Sequence, residues 1–573
     1  MAAGIFFNGQ QYISPAVASA VNDSALLPTG TANSGVLALV GASAGGQPNT
    51  VLTFGSAQDV VNTLVSGDLV DAATRAFAPS SEVDGPAQII VVRVNPATQS
   101  TLTLNDGAGN PTILMNSTDY GQRTTQVKVK VETGTTAGLK LTTAIASTTY
   151  SQDNVSRNVF QIGYAGTAAS AAMSIVGDTL TLYAPVGTVA DTISLAAYPT
   201  VQQLVDRINA DAGFSATVQG GNGAAATLNA LDYVTNQDVM TAQVIATANL
   251  QAAVDWFNGV SEGLVDAVRA PNAGQPPALI GFTYLAGGSD GVITNVDWSN
   301  AFETLQYEDV SWLTPLSGDP SIHAMADAHC VFMSNTMRSE RRALVGPVVG
   351  TSDTTALGLA LGLNSDRTGL THLGGYDFDA NGDLTLYAPY VVAAMIAGGF
   401  AGSSPGTPMT NKSLALKGME RKLRNPVDTD PLISGGVIPV ESTTDGFNVV
   451  QSVSTWLNDN RYDKVELSTG AAVDYIAKTV RAALAPLKGQ KGGPTLLSQA
   501  VSLTQTALAA LAVPDPLGPG VIVGDTNSPA FTGITASISG DAVSVQFQCS
   551  PVIPNNFVLI SISAVPYAGT ASA

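Results

Sequence analysis

The sequence predicts an α/β core with a mixed sheet, inserted β-rich domain(s), and a C-terminal α+β module completed by strands from neighbouring subunits. Three observations carry this expectation. Short continuous apolar runs alternate with helical patterns, the texture of a sheet covered on both faces. From about residue 97 to 250 the texture changes to Thr, Gly, Ala and Asn with short alternating strands. Both chain ends carry apolar strands with no evident partner of their own.

The first 34 residues read as an arm, with Ile5-Phe6-Phe7 and Tyr12-Ile13 as extended pieces and a polar connection containing Pro15 and Pro28. Val36-Leu37-Ala38-Leu39-Val40 is a buried strand, and Ser56 opens a helix in which Val60, Val61 and Leu64 recur. A second helix covers 69–77, and Ile89-Ile90-Val91-Val92 is another buried strand ending at Arg93. The stretch 97–250 holds alternating strands such as Val127-Lys128-Val129-Lys130-Val131 and Leu180-Thr181-Leu182-Tyr183, with one amphipathic helix over 201–208. The α/β texture then returns over 251–430, making the core discontinuous with 35–96. Helices are expected at 250–259, 297–305, 320–338, 354–363 and 389–402, and buried strands at 278–282, 310–313 and 343–349.

Residues 431–573 form the inner module, with a strand at 447–450 and helices at 473–485 and 495–511. Alternation over 534–538 and 543–549 around Ser539-Gly540-Asp541 predicts a hairpin. The last run, Phe557-Val558-Leu559-Ile560-Ser561-Ile562, is apolar on both faces, which a strand tolerates only when covered on both sides. An arm from about 550 to 573 is therefore expected to pair with another copy, as are Ile5, Phe6, Phe7, Tyr12 and Ile13 at the other end.

Composition narrows the function classes. Apolar residues make up 45% of the 573 and charged residues only 12%, so large cores are affordable while the surface is poor in charge. The longest apolar run, about 390–401, suits a buried helix and is too short for a membrane span. The start MAAGIFFNG has neither basic region nor signal core, so synthesis and assembly in a cytosol are expected. A formal charge of −20 argues against nucleic acid as partner. That charge is uneven: residues 1–337 hold 9 Lys and Arg against 26 Asp and Glu, while 338–491 hold 15 of each. The basic residues gather at Arg338, Arg341 and Arg342, over 412–424, and at Lys478, Arg481, Lys488 and Lys491, a surface fit for an acidic protein partner.

Motifs for catalysis, cofactors or metals are wanting. Gly41-Ala42-Ser43-Ala44-Gly45 follows a strand as a nucleophile elbow would, but continues as loop where a helix should begin. Gly287-Gly288-Ser289-Asp290-Gly291 is a plain turn, and only His323, His329 and His372 are available for a triad. Asp377-Phe378-Asp379-Ala380-Asn381-Gly382-Asp383 matches half a calcium loop, yet Ala388 stands where the bidentate Glu belongs, and Asn-Gly makes a hairpin the better reading. His329 beside Cys330 has no further ligands at usable spacing. Cys330 and Cys549 read as buried thiols, with inter-subunit pairing a secondary possibility.

An ordered series of segments resembles the contractile tail sheath family of myophages and R-type pyocins. It runs from Tyr12-Ile13-Ser14-Pro15-Ala16-Val17, through Gly35 to Gly46 and Thr53-Phe54-Gly55-Ser56, to Gly85-Pro86-Ala87-Gln88-Ile89 and Thr118-Asp119-Tyr120-Gly121. It resumes at Ser454-Thr455-Trp456, Val473-Asp474-Tyr475-Ile476 and Val552-Ile553-Pro554-Asn555-Asn556-Phe557. The resemblance implies a helical homopolymer of stacked rings, six-fold by expectation, around a tail tube in the virion tail. It implies tube, baseplate and tail terminator proteins as partners, with no cofactor and no membrane insertion. It also implies that Lys478, Arg481, Lys488 and Lys491 face the tube, and that stored packing energy drives contraction. A secreted adhesin or surface-layer protein, and a hydrolase built on Ser43, are the competing readings.

Overall fold

The computed structural model of the chain describes residues 5–7, 10–12, 35–259, 263–444, 446–565 and 569. Its centre is a seven-stranded mixed sheet in the order Val437–Ile438, Thr368–Thr371, Arg342–Val345, Trp312–Pro315, Leu37–Gly41, Ile89–Arg93, Val51–Phe54. The first six strands are parallel and the last runs antiparallel at the edge. Alternation within a strand sends neighbours to opposite cores. Leu37 and Leu39 join the cluster under the helices Asp68–Ala76 and Pro389–Gly402. Ala38 and Val40 join the one under Asn295–Thr304, Pro320–Asn335 and Asp353–Leu363. All five residues of Leu37–Gly41 are buried, and each Leu or Val so placed is worth about 1.5–3 kcal/mol over exposure.

The helix Pro389–Gly402 is covered all round, as its small side chains foretell. At Gly398 an added methyl would stand 2.4 Å from the Ala76 carbonyl, so only glycine lets the two helices approach this closely. Trp312 stacks on Phe400 with ring centroids 4.4 Å apart, tying this helix to the middle of the sheet.

The inserted region forms two cores. One holds the strands Lys128–Thr133, Leu139–Ile145 and Thr148–Val155 with the helix Asn249–Gly259. The other gathers Asn158–Tyr164, Ala172–Val176, Thr179–Tyr183 and the capped helix Val201–Ile208. Strand pairing carries the insertion past residue 250: Val265–Arg269 pairs with Pro111–Ser117, and Ile280–Tyr284 pairs with Lys128–Thr133. The expected buried strand at 278–282 is therefore an exposed strand of the insertion, with Phe282 and Tyr284 on the surface, because its sheet is covered on one face only. Arg93, fully buried, fixes the root of the insertion. Its guanidinium donates to the Gly46 carbonyl at 2.6 Å and to the Tyr120 carbonyl at 3.2 Å, and lies 3.3 Å from the Asp290 carboxylate.

The half-calcium motif folds as the expected hairpin, Gly375–Phe378 against Leu384–Tyr387. Asp379 accepts the backbone N–H groups of Asn381 and Asp383, each at 2.9 Å, and Asp377 takes Arg75 Nε at 3.0 Å.

Candidate assembly interface

In the C-terminal module the helix Leu467–Leu484 starts six residues earlier than its apolar stripe foretold. The extra turns are buried against the core: Leu467 lies in the cluster below Pro389–Gly402. Asp474 then locks the helix down. It accepts Arg342 Nε at 2.9 Å and both its oxygens accept Arg367 Nη1, at 2.8 and 2.7 Å. Two guanidiniums on one nearly buried carboxylate satisfy each other without solvent. Sequence reasoning missed this trio, since the three residues are far apart along the chain.

Lys478 and Arg481 sit one turn further on, but they face their own core. Lys478 Nζ is 3.0 Å from Asp309 Oδ1, and Arg481 pairs with Glu340 while donating to the Arg338 carbonyl at 3.0 Å. Both side chains are only partly exposed. Lys488 and Lys491 lie in the exposed loop joining Leu467–Leu484 to Pro494–Leu511. The four expected tube-facing cations thus divide into two that dock the helix and two that project freely.

Behind these helices stands the hairpin Phe531–Ser539 with Ala542–Cys549, a two-stranded sheet with no further strand among the described residues. Phe531, Ile534 and Phe547 pack towards Leu508 and Leu511 of the second helix. Such a ribbon leaves main-chain donors and acceptors open on both edges. The chain then runs back beside it: Val523 N–H donates to the Ser550 carbonyl and Val552 N–H to the Val521 carbonyl, both at 2.9 Å. Asn556 Nδ2 makes the last anchoring contact, donating to Glu466 Oε1 at 2.7 Å. Beyond it the chain leaves the surface. Phe557, Val558, Leu559, Ile560 and Ile562 are 74–93% exposed and form no strand. The expected strand is absent here because a strand needs a partner, and no strand among the described residues pairs with this segment.

At the other end Ile5–Phe7 and Gln10–Tyr12 pair with each other, Ile5 opposite Tyr12. This corrects the expectation that Ile5, Phe6, Phe7 and Tyr12 lack a local partner: a two-residue connection closes the hairpin. Ile13 lies outside the described residues.

The thiols differ. Cys330 is fully buried and its thiol is pushed up to about 12 by burial, so the expected pairing with another subunit is closed to it. Cys549 is half-buried on the hairpin, and its thiol is also raised by burial. The remaining chemistry-bearing residues are structural. Ser43 Oγ donates to the Gly45 carbonyl at 2.8 Å, next to no histidine. His329 is driven down to about 3 by burial and the Arg341 guanidinium, which donates to its ring at 3.1 Å. His372 binds Asp353 at 2.7 Å, with Arg421 on the same carboxylate.

No protein-family model matches the chain. It is 27% identical over 590 residues to the tail sheath protein of Bacillus phage SP01, covering 99% of this chain and 98% of that one. It is 25% identical over 489 residues to the tail sheath protein of Staphylococcus phage Twort, covering 78% and 80%. Among solved structures, a sheath tail protein from Listeria innocua superposes with a TM-score of 0.55 at 14% identity, over 91% of this chain and 93% of that one. Over nearly its whole length, then, the chain is similar to a phage tail sheath protein and shares the fold of a solved sheath tail protein.

Proposed function

We propose that this chain is the structural subunit of a contractile tail sheath, polymerising as stacked rings around a tail tube and contracting to drive that tube through a bacterial envelope. The observation that carries the reading is end-to-end relationship to a phage tail sheath protein, joined to an apolar tail that the isolated subunit leaves bare. An exposed run of this kind marks an interaction site. In the polymer, Phe557, Val558, Leu559, Ile560 and Ile562 would add a strand to an open edge of a neighbour's hairpin, gaining main-chain hydrogen bonds and burying their side chains. The N-terminal hairpin with Ile5, Phe6, Phe7 and Tyr12 would bridge subunits from the other end. Lys488 and Lys491 would meet an acidic tube, and exposed pairs worth about 0–1 kcal/mol each suit a surface that must release. Baseplate and terminator proteins would cap the polymer in the virion tail, which assembles in the host cytoplasm. The energy of contraction would come from packing differences between two arrangements of nearly rigid subunits.

Negative-stain microscopy of purified protein at rising concentration tests the reading. Hollow striated cylinders are expected; uniform monomers at every concentration and salt would overturn it.

A further inference from the structure

We infer that Glu466 is held as a neutral carboxylic acid and clamps the root of the C-terminal tail through a two-bond ring with the Asn556 side-chain amide. The inference deepens the reading of the tail as the strand given to a neighbour, and rests on that reading for its functional meaning. Glu466 is 2% exposed and precedes the first turn of Leu467–Leu484. Its Oε1 accepts twice, from Asn556 Nδ2 at 2.7 Å and from Gln451 Nε2. Its Oε2 accepts nothing, and Asn556 Oδ1 across the same contact is also buried without a donor. Two residues already joined by one N–H···O bond thus each keep a buried, bare acceptor oxygen, and a single shared proton would serve both. A hydrogen on Oε2 donating to Asn556 Oδ1 closes the eight-membered acid–amide ring, satisfies both oxygens and removes a buried charge.

Apart from the N-terminus of its own helix, the surroundings offer no cationic side chain to this carboxyl among the described residues. On the same segment Lys464 turns to Asp366 and Asp463 to Arg461. The neighbouring strand and helix contribute Gln451, Ser452, Ser468 and Thr469, all uncharged, and the tail contributes Asn556. Burial accordingly raises the Glu466 carboxyl above the ordinary range.

The sign of the pH dependence follows. The folded chain keeps a proton that the unfolded chain loses near the ordinary glutamate value of about 4.3. The clamp is complete below that value, weakens as pH rises between the two, and is lost once pH passes the raised native value. Ionised, Oε2 has no hydrogen for Asn556 Oδ1, and the tail loosens at its root.

Hydrogen exchange of the full-length, unassembled subunit tests this between pH about 5 and about 9, with rates corrected for intrinsic pH dependence. Protection of the Val552 amide, which donates to the Val521 carbonyl, should fall with rising pH, by up to about tenfold per pH unit between the two pKa values. Glu466→Gln, whose amide hydrogen replaces the acid proton in the same ring, should keep protection constant. Flat protection in the parent, or an equal slope in Glu466→Gln, would overturn the clamp. A second readout needs no variant: in the 13C-glutamate-labelled parent, one carboxyl should titrate above the ordinary range. A spectrum in which every glutamate titrates normally would equally overturn it. Both readouts are taken on monomers, so they fail or succeed independently of whether cylinders form.

Discussion

Asp474 is the residue on which the inner helix depends most. With Arg342 3% exposed and Arg367 15% exposed at the side chain, Asp474→Ala leaves Arg342 without its carboxylate and Arg367 with only Asp366 at 4.0 Å. We expect a loss of about 3–5 kcal/mol in denaturant unfolding, and a loss under about 1 kcal/mol would show the trio to be ornamental. The thiols give a second check at this scale: a maleimide should label Cys549 in the native subunit and leave Cys330 untouched until unfolding. Labelling of Cys330 at the same rate would mean that its core opens freely. For the cations, Lys488→Glu with Lys491→Glu should weaken binding to the tube and leave the fold unchanged. Lys478→Glu with Arg481→Glu should instead lower thermal stability, since Asp309 and Glu340 would face like charge. Unaltered tube binding in the first pair would remove the loop from the tube-facing surface.

Among the elements, those set by periodicity were legible and those set by distant partners were not. Leu37–Gly41 and Ile89–Arg93 are fully buried runs whose sequence permits little else. The capped helices after Ser56 and Thr200 begin where side-chain oxygens meet their N–H groups. The strand Ile280–Tyr284 was misplaced because a short apolar run does not say which sheet it joins, and this one joins the one-face-covered sheet of the insertion. The clustering of basic residues at 478–491 was visible, but not that Asp309 and Glu340, far back in the chain, would claim half of them. The tail is the most instructive element. Its apolar character was plain, yet residues 557–562 form no strand in the single chain. Deleting residues 557–573 should leave thermal unfolding within about 0.5 kcal/mol of the parent, because the described side chains over 557–565 are exposed. The same deletion should abolish polymer growth in light scattering; normal growth would show the tail to be dispensable.

At the scale of the molecule the architecture separates two tasks. The seven-stranded sheet, buried on both faces, supplies a rigid body, and the insertion stands on it through the buried Arg93. The inner module is welded to that body by Asp474, while only its hairpin edge and tail remain unfinished. Rigid bodies joined by main-chain tethers can change their mutual packing without refolding, as the proposed contraction requires. The measurement that bears most directly on this account is a cryo-EM reconstruction of cylinders assembled from the full chain. It should show the 557–562 segment of one subunit hydrogen-bonded as a strand along the Phe531–Ser539 and Ala542–Cys549 hairpin of its neighbour. A cylinder in which that segment lies on its own subunit, with every hairpin edge unpaired or closed from within, would contradict it.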